Sequence, residues 1–300
     1  MQLQNRFTRN IAIASGSTRR NFLRYLGVGA AGTALISGVQ ALSPVAALAA
    51  SGQKEAANIA HFSPTGTSSG VNVVLVHGIW ADGSSYSKII PLLCAAGHTV
   101  FAAQLPLTGH LADDVTATLG VIGQLQGPTV LVGHSYGGTV ITNAGANQPN
   151  VIGLVYASAF APDQGEVLSQ FQLGPGTANL YPVTYPNTFG TFVFINQQKF
   201  RESFAQDVEP LQASIMASVQ KPANTAIFGD PTTAVAWKTL PSWYLISTND
   251  RMIPPSLQQM FASRMKATTI SVPSSHASIV SHPLQVFELI QAAAKVGVSK

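Results

Sequence analysis

A serine hydroxyl is a useful nucleophile only when a base can take its proton and an acid orients that base. Gly133-His134-Ser135-Tyr136-Gly137 fits the pattern G-x-S-x-G, in which a serine sits on a tight turn between a strand and a helix. The neighbouring residues agree with that context. The apolar run Thr129–Val132 predicts a buried strand, and the small and β-branched residues from Gly138 to Asn147 predict a helix. Glycines on both sides of Ser135 remove Cβ atoms that would crowd so strained a turn. For the base, only His276 and His282 of seven histidines lie C-terminal to the serine. His276 closes the loop Pro273-Ser274-Ser275-His276 after the last predicted strand. His282 stands just before Pro283 and suits the start of a helix, so His276 is the candidate base. For the acid, Asp250 follows a predicted strand and gives the chain order serine, acid, histidine. Asp163, in Ala161-Pro162-Asp163, is the rival.

A tetrahedral oxyanion needs two aligned N–H donors. The backbone of Tyr136 is one candidate. The other is Ile79, in the loop His77-Gly78-Ile79-Trp80 after the first predicted strand. His77 is expected to bond within its own loop, and His134 to face away from the cleft. Adjacent Asp113 and Asp114 point in different directions on a helix and are expected to be solvated near its N-terminus. No cluster of His, Cys and Asp has the spacing of a metal site, so no metal is expected.

These groups require a scaffold that brings distant loops to one edge. Val71–Val76, Thr99–Ala103, Thr129–Val132, Val151–Ala157, Trp243–Ser247 and Thr268–Val272 read as strands. Helices are expected over Ser85–Ala96 (capped by Gly97), Leu111–Leu125, Ser256–Arg264 and Pro283–Ala294. Strands alternating with helices predict a mostly parallel, doubly wound α/β sheet. The alternation stops between about 160 and 240. That stretch is rich in proline and carries Phe171, Tyr181, Tyr185, Phe189, Phe192, Phe194, Phe200, Phe204, Phe228 and Trp237. It is too long for a loop and reads as a cap inserted over the carboxyl edge of the sheet. Most of its aromatics are expected to form the cap's own core.

Composition narrows the function classes. The chain has 300 residues, 46% hydrophobic and 9% charged, with a formal net charge of +4. The charge is local: residues 1–49 hold Arg6, Arg9, Arg19, Arg20 and Arg24 and no acid. Without those five, eleven basic residues face twelve acidic ones, so no basic stripe for nucleic acid remains. Ser17-Thr18-Arg19-Arg20-Asn21-Phe22-Leu23 resembles a twin-arginine export signal. A mildly apolar stretch follows, then Ala47-Leu48-Ala49 with the small residues that cleavage requires. The expectation is a signal peptide over 1–49, a linker over 50–70, and an exported mature protein with no stable membrane anchor. Cys94 is the lone cysteine, so no intrachain disulfide can form; within the apolar run Ile89–Ala96 it reads as an inert core residue.

With these residues placed, the chain resembles the α/β-hydrolase superfamily over about residues 71–296. Val76-His77-Gly78-Ile79-Trp80-Ala81-Asp82-Gly83-Ser84-Ser85 and Val132-Gly133-His134-Ser135-Tyr136-Gly137-Gly138 are similar to small bacterial esterases related to the plant methylesterase and hydroxynitrile-lyase branch. The resemblance implies hydrolysis of carboxylic esters through an acyl-enzyme, without a cofactor. The lyase branch typically carries Thr after the first-strand His and Lys after the catalytic His, where this chain has Gly78 and Ala277. Ser135 excludes the chemistry of the haloalkane dehalogenases, which need Asp there. The expected substrate is a small or medium apolar ester, because low charge and an aromatic cap suit an apolar pocket. Two other functions remain open: a cofactor-free C–C bond hydrolase or haloperoxidase using the same three residues, and a non-catalytic ligand receptor. The sequence sets no oligomeric state.

Overall fold

A computed structural model describes residues 70–185 and 190–298. The expected signal peptide, nearly all of the linker and Phe189 lie outside the described residues.

Six strands form the central sheet: β1 (Asn72–Val76), β2 (Thr99–Ala103), β3 (Thr129–His134), β4 (Val151–Ala157), β8 (Ser242–Ser247) and β9 (Thr268–Val272). Their order is β2-β1-β3-β4-β8-β9, and every pairing is parallel. β3 and β8 are buried at every residue. Their apolar runs do not alternate because both faces of a parallel sheet are covered. The chain steps outward from β1 to β2 and then returns past β1 to β3. Right-handed crossovers in opposite directions send the connecting helices to opposite faces. The reversal also opens a crevice at the carboxyl ends of β1 and β3, where sheets of this kind bind ligands. Val76 pairs with Gly133 there, so the loop after β1 and the turn after β3 start side by side.

The connecting helices are α1 (Ile90–Ala95), α2 (Leu111–Ile122) and α3 (Gly137–Ala144); α6 (Pro255–Arg264), α7 (Ser278–Ser281) and α8 (Pro283–Val298) complete the sheet's cover. Two sequence expectations need correction here. The helix expected from Ser85 begins only at Ile90. Asp82 instead caps a short 3-10 turn at Gly83–Tyr86 by accepting the Ser84 N–H, and Pro91 occupies the first turn of α1, where its missing N–H costs nothing. Cys94 is not a core residue. Only Leu93 of α1 is buried, and Cys94, the next residue, is exposed.

Between β4 and β8 the chain builds the cap. Antiparallel strands β5 (Leu180–Thr184), β6 (Thr191–Ile195) and β7 (Ala223–Asn224) form a small sheet. Helices α4 (Phe200–Phe204) and α5 (Pro210–Ser218) lie between β6 and β7. Backbone bonds tie the cap to the loops at the sheet's carboxyl edge: Trp80 N–H to Lys221 O (2.9 Å), Gly174 N–H to Met252 O (2.8 Å) and Asn224 N–H to Leu107 O (2.9 Å).

Candidate active site

Ser135 sits directly after β3 with φ of 54°, a left-handed conformation that costs a non-glycine residue about 1–3 kcal/mol. The neighbours fix it: Ser135 O accepts the N–H groups of Phe160 (3.1 Å) and Gly138 (3.0 Å), and Ser135 N–H reaches Ala157 O (3.3 Å). The turn is possible because side chains are absent around it. A Cβ on Gly137 would stand 2.2 Å from Val76 O, and one on Gly78 only 2.6 Å from the Ser135 Cβ. A threonine at position 78 would meet the Ser135 side chain on this backbone.

The structure brings Ser135, His276 and Asp250 together from three loops at the carboxyl edge. His276 Nε2 lies 2.8 Å from Ser135 Oγ, and His276 Nδ1 lies 2.7 Å from Asp250 Oδ2. A carboxylate only accepts, so Nδ1 carries the proton and Nε2 is left to accept from the serine hydroxyl. All three residues are buried, Ser135 at 4% exposure, Asp250 at 5% and His276 at 0%. Asp250 is held further by the N–H groups of Met252 (2.7 Å) and Ile253 (3.0 Å) on Oδ1, and by Gln258 Nε2 (2.8 Å) on Oδ2. The rival Asp163 is elsewhere, paired with Lys238 at the start of the cap. His282 ends α7 and precedes α8, 3.7 Å from Asp207.

Tyr136 follows the serine directly, and Ile79 follows Gly78, which lies against the Ser135 side chain. Among the described residues no backbone acceptor takes either N–H. The orientation of the Ile79 N–H follows from His77. Leu105 N–H donates to His77 Nε2 (3.0 Å), so the imidazole proton is on Nδ1 and bonds Gly78 O (2.9 Å). C=O and N–H of a trans peptide point oppositely; pulling the Gly78 carbonyl to the His77 ring therefore turns the Ile79 N–H away from that ring. Burial lowers the His77 pKa from 6.5 to about 4, which keeps the ring neutral as this arrangement requires.

Two expectations fail in the same region. Asp114 is not solvated; it is 1% exposed, accepts from Leu107 N–H (2.9 Å) and Tyr136 OH (2.8 Å), and burial raises its pKa. His134 does not simply face away. Its Nε2–H donates to His276 O (2.8 Å), its ring centre lies 4.9 Å from that of His276, and burial lowers its pKa to about 3. Of the cap aromatics, Phe204 packs edge-on against the His276 ring at 4.8 Å. Phe171 contacts Phe160 and Phe261, and Trp237 lies beneath Arg264.

Sequence reasoning missed two supports. Gln258 donates to Asp250 Oδ2 and to Ile253 O (2.8 Å) and accepts Ser247 N–H (3.0 Å) on Oε1. The signal was present: with Phe261 and Ala262 it forms the buried face of α6, and a glutamine on such a face needs partners. Second, four buried serines form a hydroxyl chain, Ser278–Ser158 (2.7 Å), Ser158–Ser247 (2.6 Å) and Ser247–Ser274 (2.6 Å). Serines scattered over 120 residues leave no sequence pattern to find.

An alpha/beta hydrolase family model matches residues 73–289. The chain belongs to that family. This hydrolase is similar to a pyrethroid hydrolase of Sphingobium wenxiniae, 26% identical over 73% of this chain and 86% of the relative. It is 27% identical to salicylic acid-binding protein 2 of Nicotiana tabacum, over 63% of this chain and 83% of that one. Among solved structures, a pyrethroid hydrolase from Sphingobium faniae JZ-2 superposes with a TM-score of 0.65 at 22% identity, covering 77% of this chain and all of the other, a likeness in fold.

Proposed function

We propose that this hydrolase is a serine esterase that cleaves small or medium apolar carboxylic esters through an acyl-enzyme. The observation that carries the reading is the continuous contact Ser135 Oγ–His276 Nε2–Asp250. In this mechanism Ser135 Oγ attacks the ester carbonyl carbon as its proton passes to His276 Nε2. The carbonyl electron pair moves onto oxygen, where the N–H groups of Ile79 and Tyr136 receive it; each such donor lowers the barrier by about 3 kcal/mol. Collapse breaks the C–O bond, and the leaving alkoxide takes the proton from Nε2. Water then attacks acyl-Ser135, again through His276, and releases the acid. Asp250 steadies the imidazolium in both halves.

The names of the relatives support the substrate class: pyrethroid hydrolase, a carbendazim hydrolyzing esterase and a plant methylesterase. The test is a panel of p-nitrophenyl esters of increasing acyl length, assayed with the protein lacking residues 1–49. The expected result is turnover with a burst of one p-nitrophenol per protein, absent in Ser135→Ala; no turnover on any ester counts against the reading.

The leader belongs to the same proposal: residues 1–49 direct export by a twin-arginine route and are removed near Ala49. Mass analysis of exported protein should find a mature N-terminus near residue 50, and Arg19→Lys/Arg20→Lys should hold the precursor inside the cell.

A further inference from the structure

The cap does more than cover the cleft. After α4 the chain turns at Ala205–Val208, closed by the Val208 N–H to Ala205 O bond (3.1 Å). The two central side chains reach down to the body. Gln206 Nε2 donates to Asn249 O, and Asp207 Oδ2 accepts the N–H of Ser275 (3.0 Å). Asn249 immediately precedes Asp250, and Ser275 immediately precedes His276.

These two loops are already tied to each other. Asn249 N–H bonds Ser274 O (3.1 Å), and Asn249 Nδ2 bonds Pro273 O (3.0 Å). From below, the serine hydroxyl chain holds residues 274 and 278, on either side of His276. From above, the Asp207–Ser275 bond is the one hydrogen bond between cap and residues 273–277 among the described residues. Phe204, at the start of the same turn, closes the remaining side against the His276 ring. The base loop is thus gripped between the sheet and this single cap turn.

We propose that Gln206 and Asp207 are positioning residues: through the backbones of Asn249 and Ser275 they set the register of Asp250 and His276 against Ser135. The inference rests on the serine-esterase reading above. A misplacement on the order of 1 Å can cost about a hundredfold in rate, so a bond on the residue next to the base has leverage that an ordinary surface bond lacks. What Asp207 supplies is an acceptor oxygen for an N–H, which an asparagine also carries.

The test measures kcat, KM and the rate at which a fluorophosphonate labels Ser135, in the wild type and in Asp207→Ala, Asp207→Asn and Gln206→Ala, with thermal unfolding as a check on each. Asp207→Ala should lower kcat and the labelling rate about tenfold or more and leave KM within about twofold. Asp207→Asn should recover most of the loss. Gln206→Ala should show the same split on a smaller scale, and it supplies the test should Asp207→Ala not fold. Labelling at the wild-type rate in the folded variants overturns the inference while the esterase reading stands. Equal loss in Asp207→Ala and Asp207→Asn also overturns it, because the acceptor would then not be what matters. A wild type that takes no label at Ser135 overturns the esterase reading and this inference with it.

Discussion

At the residue scale the three side chains proposed to react differ in how they are supported. Ser135 is fixed by backbone bonds and by the contact of its hydroxyl with His276, His276 by its carbonyl on His134 and by its ring partners, and Asp250 by four donors. A buried carboxylate gripped by that many donors is fixed in direction. Asp250→Asn presents an amide where the imidazole needs an acceptor, and kcat should fall about 10,000-fold, as in other triads. Asp163→Asn should stay within about twofold of wild type in the same ester assay, since it only unpairs Lys238 at a partly exposed site. Gln258→Leu removes a donor from Asp250 and the acceptor of Ser247 N–H. Each orphaned buried group costs about 1–3 kcal/mol, so urea unfolding should show a loss of that order, together with a reduced kcat. The three residues that meet at the carboxyl edge were readable because their order and flanking patterns are local: a glycine-framed serine, an acid after a strand, a histidine after the last strand. Gln258 and Asp114 were not, because each lies on the buried face of a helix whose polar residues look like solvent-facing ones until the packing is known.

At the element scale, strands were more legible than helices. Thr99–Ala103, Val151–Ala157 and Thr268–Val272 match the expected bounds, because short runs rich in β-branched and apolar residues bounded by turn residues have few alternative readings. The helix expected from Ser85 to Ala96 failed on Pro91 and on the capping aspartate Asp82, which split it into a 3-10 turn and a shorter helix. The cap could be recognised only as an interruption; its third strand, β7, pairs with β6 across 30 or more residues, Val193 with Ala223 and Phe192 with Asn224. The joint between β4, β8 and the base loop depends on Ser158, which has φ of 47° and bonds two buried hydroxyls. Ser158→Ala keeps the strained backbone, removes the partner of the Ser278 hydroxyl and leaves Ser247 bonded to Ser274. It should destabilise the fold by about 1–3 kcal/mol and slow turnover, whereas a valine at exposed Cys94 should leave both within experimental scatter.

At the scale of the whole molecule, the buried histidines set a dependence on pH. His77 and His134 are neutral in the fold, with pKa values lowered to about 4 and about 3 by burial. Unfolded, each titrates near 6.5. Between pH 6.5 and 4 the unfolded chain therefore binds more protons, and stability falls as pH falls, by up to about 1.4 kcal/mol per pH unit for each histidine. Asp114 acts in the opposite sense, because a carboxyl with a raised pKa sheds its burial penalty on protonation. Urea unfolding from pH 7 to 4.5 should show the decline, and His77→Gln should flatten it by about one proton's worth; a wild-type stability that rises over that range contradicts the assignment.

In the proposed mechanism Ser135 forms a covalent bond to the substrate with His276 as its base. The most direct measurement is mass spectrometry of the protein quenched during turnover of a slow p-nitrophenyl ester, with the adduct located by peptide mapping. The account predicts an added acyl mass on the peptide containing Ser135, absent in Ser135→Ala and formed far more slowly in His276→Ala. Turnover of the ester with no acyl mass on that peptide, or an adduct on another residue, would contradict it.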